Sequence, residues 1–84
     1  MKRRNLYYVE IYDKADASSY ILQTCFVKTL GTAVKTANQI DYLDDKYNIA
    51  IVTVDAKMDG DDILEYEIIK SEDLKDVKNR IGLD

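Results

Sequence analysis

The chain has 84 residues and a formal net charge of −4, with seven tyrosines, one cysteine and neither histidine nor proline. This length predicts a single domain with a thin core. Without histidine, Ser-His-Asp and Cys-His catalytic arrangements are excluded, as is any zinc site that uses imidazole. No apolar run has the length of a membrane span. One cysteine cannot form an internal disulfide, which is typical of the reducing cytoplasm.

The first quarter of the chain predicts a β-hairpin. Residues 6–12 alternate in hydrophobicity, with Val9 on one face and Tyr8 and Tyr12 on the other. Residues 20–27 are rich in aromatic and β-branched side chains and form the second predicted strand. The polar residues between the two runs are expected to form a loop.

Residues 30–47 change to a helical period, with one apolar stripe and a polar opposite face. Thr29 is expected to cap the start of this helix, and Asn48 to end it in a left-handed conformation. Cys25, in the apolar run before the helix, is expected to be a packing residue.

The second half of the chain predicts another hairpin, from two β-rich runs at residues 49–56 and 63–69. A three-residue loop that ends at Gly60 puts glycine where the backbone needs a positive φ. This register aligns Val52 with Tyr66 on one face, which we expect to be buried. Glu65 and Glu67 then lie on the opposite, exposed face.

A final helix is predicted from Ser71, its expected cap, to Gly82. The element order is therefore ββαββα. We predict the α+β class, with an antiparallel sheet of about four strands and two helices on one face. The other face of the sheet is predicted to be open to water or to a partner.

Three further patterns favour ordinary structural interpretations. The aspartates around Gly60 resemble a calcium loop, but Lys57 and Tyr66 occupy positions where an EF-hand needs oxygen ligands, so a tight turn is favoured. The basic cluster at residues 2–4 is small for nucleic-acid binding in a chain of negative net charge. No carboxylate is isolated among apolar residues, as a catalytic acid with a raised pKa requires. We therefore predict a non-enzymatic protein with no catalytic residue, metal or cofactor.

The strongest signal is a long acidic segment. Residues 41–73 carry eight aspartates and three glutamates against three lysines, a net charge of −8. Aspartates near the C-terminal end of a helix are unfavourable by about 0.3–1 kcal/mol each, which favours a binding role over a solubilising one. The alternative is a solvated acidic face. The predicted partner-binding residues are Asp41, Tyr42, Asp44, Asp45, Asp59, Asp61, Asp62, Glu65 and Glu67.

In its size, its lack of histidine and proline, and its acidic segment from Asp41 to Glu67, the chain resembles the small acidic inhibitors of bacteriophages and mobile elements. These include anti-CRISPR proteins and mimics of DNA. The resemblance implies an inhibitor in the cytoplasm of a bacterial host. Its carboxylates would occupy the basic groove of a nucleic-acid-binding host protein such as a CRISPR nuclease, with no direct contact to nucleic acid or membrane. The alternative is a structural or regulatory protein that forms a homodimer through its open sheet face or an edge strand.

Overall fold

The computed structural model describes residues 2–13, 20–43 and 47–82. In chain order its elements are β1 (Lys2–Asp13), β2 (Tyr20–Gln23), α1 (Leu30–Leu43), β3 (Tyr47–Asp59), β4 (Asp62–Asp73) and α2 (Leu74–Ile81). The strands form one antiparallel sheet in the order β2-β1-β3-β4. The predicted α+β class and ββαββα order are confirmed. Neither helix in the described ranges has the length and apolar character needed to cross a bilayer.

The two central strands are apolar on both faces. One face, here called the helix face, carries Val9 of β1 together with Ile49 and Ile51 of β3. Both helices pack against it through small or branched side chains, which are Ala33, Val34, Ala37, Leu74 and Val77. This core joins the helices to the sheet, as the helical periodicity predicts.

The opposite face of the sheet holds a second core rather than an open surface. Its buried residues are Leu6, Tyr8, Val52, Val54, Ala56 and Met58. Among the described residues, the partly buried apolar side chains packed against this core are Phe26 and Ile63, and neither belongs to a helix. The prediction of an open second face is therefore wrong over the central strands.

Phe26 shows how the second core is closed. Its ring makes edge-to-face contacts with Tyr8, at a centroid distance of 5.4 Å, and with Tyr66, at 5.1 Å. Phe26 follows β2 at one side of the sheet, whereas Tyr66 belongs to β4 at the other side. A contact between opposite sides requires the sheet to curl around its own side chains, and we call this surface the curled face.

Strand β2 is shorter than the predicted residues 20–27. Thr24 takes over the pairing with Val9: its N–H donates to the Val9 carbonyl at 2.9 Å, and its Oγ1 accepts from the Val9 N–H at 2.9 Å. The ladder is then interrupted until Val27 pairs with Tyr7. This break lets Phe26 turn onto the curled face and leaves Cys25 exposed, so the predicted packing role of the cysteine is wrong.

The first helix begins as predicted but ends early. Thr29 Oγ1 accepts a hydrogen bond from the Thr32 N–H at 3.2 Å, which confirms the predicted cap. Helix α1 ends at Leu43, and Asn48 already belongs to β3 with a negative φ, so it does not close the helix.

The second hairpin turns through two residues, Gly60 and Asp61, and not through the predicted loop of three. The pairing shifts twice, because β4 contains two extra residues, Leu64 and Ile69, that oppose no residue of β3. Val52 and Tyr66 share a face, as expected, but Ala56 lies opposite Tyr66. The later position of the turn moves the partner of Tyr66 by three residues relative to the prediction, and the bulge at Leu64 moves it by one more.

The second helix is capped by Asp73 and not by Ser71. The Asp73 Oδ1 accepts from the Lys75 N–H at 2.9 Å, whereas Ser71 lies within β4 opposite Val52. Gly82 ends the helix in a left-handed conformation with φ 81°, as predicted. Glu72, the residue before the cap, accepts hydrogen bonds from both guanidinium nitrogens of Arg80 and so ties α2 to β4.

Gly60 provides a first test of the turn. Its φ is 62°, a conformation that a β-branched residue adopts at a cost of about 1–2 kcal/mol. We expect Gly60→Val to lower the free energy of unfolding by this amount in chemical denaturation. The matched control is Gly31→Val in α1, where a Cβ meets no atom within 4 Å and valine has the better helix propensity. Equal destabilisation by both substitutions would contradict this assignment.

The two candidate caps of α2 can be separated by substitution. Asp73→Ala should lower the free energy of unfolding by about 1 kcal/mol, because it removes the acceptor for an N–H in the first turn. Ser71→Ala should change it by less than about 0.5 kcal/mol, since Ser71 is an exposed strand residue. A larger loss for Ser71→Ala would place the cap where the sequence predicts it.

Candidate functional site

The described structure gathers part of the predicted site on the second hairpin. Residues 55–67, here called the acidic hairpin, contain six carboxylates and one lysine. The turn presents three aspartates, and the first half of β4 presents two glutamates, all on exposed residues: Asp59, Asp61, Asp62, Glu65 and Glu67. Asp59 and Asp62 pair with each other beside the turn, which contains Asp61, and Glu65 and Glu67 pair with β3 beyond the bulge at Leu64. The ordered backbone of the hairpin therefore fixes the spacing of all five residues.

Glu65 and Glu67 lie on the helix face of the sheet, beyond the helices. Lys57 is opposite Glu65, and Asp55 is opposite Glu67. The sequence predicts these glutamates on the face without helices, and that part of the prediction is wrong. The error has one cause: the residues aligned with Val52 were assigned to the helix-covered side, whereas Val52 belongs to the curled face.

Large apolar side chains on β4 are exposed beside these carboxylates. Tyr66 is 51% exposed and Ile68 is 59% exposed, both on the curled face. The two bulge residues, Leu64 and Ile69, are 51% and 54% exposed. Tyr66 and Ile68 share one face and form an apolar surface of the kind that often marks interaction sites, whereas Ile69 lies beside Tyr7 and Thr53 on the helix face. The prediction that Tyr66 is a core residue is therefore wrong.

Few cations neutralise the acidic hairpin. Arg3 Nη1 lies 3.1 Å from Asp55 Oδ2, and Lys28 Nζ lies 4.0 Å from Asp61 Oδ1 with both side chains largely exposed. Exposed pairs of this kind contribute little. Within the described ranges, ion pairs to the other hairpin carboxylates do not occur. The hairpin therefore presents a net negative charge to solvent.

Two of the remaining predicted residues lie away from the acidic hairpin, on the helix that precedes β3. Asp41 and Tyr42 are in the last turn of α1, and Asp44 and Asp45 fall outside the described residues. Strand β3 has 13 residues, so its two ends are separated by roughly 40 Å of strand. The predicted site residues therefore do not form one continuous surface, and those with described side chains lie on the acidic hairpin.

A buried carboxylate that the sequence reasoning missed lies on the curled face. Glu10 is only 7% exposed. Its Oε1 accepts from the Tyr8 hydroxyl at 3.1 Å and from Gln23 Nε2 at 2.7 Å, and its Oε2 accepts from the Tyr12 hydroxyl. Three donors satisfy the charge, which is what allows it to be buried.

This network changes the chemistry of the two tyrosines. Burial, followed by the charge and hydrogen bond of Glu10, raises the pKa of Tyr8 above its usual value. The hydrogen bond to Glu10, followed by burial, raises the pKa of Tyr12 to about 12. The period-two spacing of Tyr8, Glu10 and Tyr12 was visible in the sequence, but nothing there indicated that Gln23 would approach from β2.

The described residues contain no cluster of three or more aspartate, glutamate or cysteine side chains arranged to hold a metal ion. Asp59, Asp61 and Asp62 are all exposed to solvent at the turn. Chemically, the hairpin offers separated negative charges beside apolar surface, an arrangement suited to recognition. Comparisons with models of protein families, with curated proteins and with solved structures find no match to this chain.

The Glu10 network predicts a loss of stability at alkaline pH. Because Tyr8 and Tyr12 have raised pKa values, the folded state holds these protons more tightly than the unfolded chain. The resulting stabilisation is complete below about pH 10 and is lost as the pH rises through about 12. Denaturation curves at increasing pH measure this loss.

The phenolate absorbance of the tyrosines tests the cause. Glu10→Gln should lower the pH at which the last tyrosines ionise, because it removes the negative charge that disfavours phenolate. Glu67→Gln is the matched control, since it removes an exposed carboxylate from the other side of the sheet. Superimposable titrations of wild type and Glu10→Gln would contradict the role of Glu10.

Proposed function

We propose that this chain is a non-enzymatic protein-binding module that docks onto a basic protein surface through its acidic hairpin. The observation that carries the proposal is the set of five exposed carboxylates at fixed spacing on the turn and on β4. Ordered charges whose spacing is fixed by a ladder lose little conformational entropy on binding, unlike those of a flexible acidic tail. Complementary charges then provide both rapid association and specificity.

The most concrete form of the proposal is an inhibitor of the anti-CRISPR type. In this form the hairpin carboxylates take the place of phosphates in the basic groove of a nucleic-acid-binding host protein. The hairpin suits such a groove because its exposed turn lies at the opposite end of β3 from Ile49 and Ile51, the residues of that strand that share a core with the helices. Asp41 and Tyr42, in the last turn of α1, would lie outside the contact or form a second one.

A second candidate function is self-association. The four exposed apolar residues of β4 favour it, because an apolar patch on an edge strand is a usual site of strand pairing between copies. The two candidates respond oppositely to salt. Screening weakens the attraction of the hairpin for a basic partner, whereas it relieves the repulsion between two acidic copies.

Affinity capture from a bacterial lysate tests the proposed function. Immobilised wild type should retain basic nucleic-acid-binding proteins that are released by raised salt and by double-stranded DNA, since both compete for the same charges. Replacing Asp59, Asp61 and Asp62 by lysine should abolish the retention. Asp76→Lys, an exposed reversal on α2, should reduce it only slightly.

A charge reversal at Glu10 would not be a suitable control for this capture experiment, because Glu10 is buried and accepts three hydrogen bonds.

Retention that is insensitive to salt and unaffected by DNA would contradict the proposal. A retained fraction consisting only of this chain, with dimer formation that strengthens as salt is added, would favour self-association instead.

A further inference from the structure

The outer edge of β4 is built as a docking site for another strand. β4 has 12 residues and, among the described strands, pairs only with β3. Its outward backbone N–H and C=O groups therefore face solvent, as at any sheet edge. Natural edges are protected from such pairing by charged side chains, by proline and by β-bulges. Here bulges at Leu64 and Ile69 flank the edge, and the residues between them, 65–68, contain neither proline nor lysine, so the central edge is protected by the negative charge of its two glutamates alone.

Residues 65–68 form a short regular ladder between the two bulges. They pair with residues 54–57 of β3 without interruption. Their side chains alternate cleanly: Glu65 and Glu67 lie on the helix face, and Tyr66 and Ile68 lie on the curled face. A strand added at this edge would thus meet carboxylates on one side of the sheet and apolar surface on the other.

We propose that the partner of this protein binds by adding a strand to the β4 edge, and that this strand alternates basic and apolar residues. The inference rests on the proposed function and specifies the partner of the same hairpin. Lysine or arginine side chains of the added strand would pair with Glu65 and Glu67, and its apolar side chains would cover Tyr66 and Ile68. Main-chain hydrogen bonds supply affinity in this mode, and the alternating side chains supply specificity.

Charge complementarity selects this occupant over a second copy of the chain. In an antiparallel pair, residues directly opposite each other lie on the same face of the sheet. Any self-pairing that brings Tyr66 and Ile68 together therefore places a glutamate of one copy opposite a glutamate of the other. Like charges directly opposite are destabilising, whereas opposite charges in the same positions stabilise the pair.

The binding of short synthetic peptides to the full chain tests whether a strand adds to the β4 edge. The probe alternates lysine and valine, and the control peptide has the same composition with the lysines and valines in separate blocks. The alternating peptide should bind about tenfold more tightly, since only it can satisfy both faces at once. On binding, amide exchange should slow at alternate residues of β4 between residues 65 and 68, where the N–H groups face outward.

A reversal of charge on β4 sharpens the test. The double variant Glu65→Lys/Glu67→Lys should lose binding to the lysine–valine peptide and gain binding to a glutamate–valine peptide. Both positions are exposed, so the fold should be retained, and circular dichroism verifies this. The control variant Asp76→Lys should keep the original preference.

Three outcomes would overturn strand addition. Equal affinity for both lysine peptides without slowed exchange on β4 would show that charge alone is recognised, which leaves the proposed function standing. Protection of β4 that rises with protein concentration in the absence of peptide would show that a second copy occupies the edge. If neither lysine peptide binds, strand addition is wrong, whereas the proposed function is decided separately by the capture experiment.

Discussion

The structure depends on the burial of both faces of β1 and β3. Two helices are available, and both pack on the helix face, which leaves the curled face without a cover from elsewhere in the described chain. The sheet meets this requirement by curling, with Phe26 from one side reaching Tyr66 on the other. Since the curl covers mainly the central strands, the apolar side chains of β4 remain exposed at its rim.

The distribution of polar and charged side chains among the strands follows from this arrangement. Polar groups enter the curled face only where they are satisfied, as Glu10 is by Tyr8, Tyr12 and Gln23. Unsatisfied charge is kept at the hairpin turn and along β4, where water reaches it. Among the described residues, β4 places only Ile63 against a core, so its other side chains are available for surface chemistry, and both proposals therefore concern this strand.

Local sequence signals predicted the fold well. Periodicity located every element, Thr29 and Gly82 marked two helix ends, and Gly60 marked the turn. The errors have a shared origin in tertiary structure. Bulges at Leu64 and Ile69 changed the register, and no pattern of hydrophobicity encodes an extra residue in one strand. The assignment of Val52 to the helix-covered face was wrong for a related reason. The alternation of apolar and polar residues along a strand shows that its two faces differ, but it does not show which face the helices cover.

The candidate site was predictable in composition but not in geometry. Glu65, Glu67 and the turn aspartates were identified, whereas the separation from Asp41 and the exposure of Tyr66 follow from the length of β3 and the curl of the sheet.

The most direct test of the curl is a nuclear Overhauser measurement on the single phenylalanine. Phe26 should show cross-peaks to the rings of both Tyr8 and Tyr66, whose centroids lie 5.4 and 5.1 Å away. Cross-peaks to Tyr8 alone would mean that the second face is open and would contradict the account.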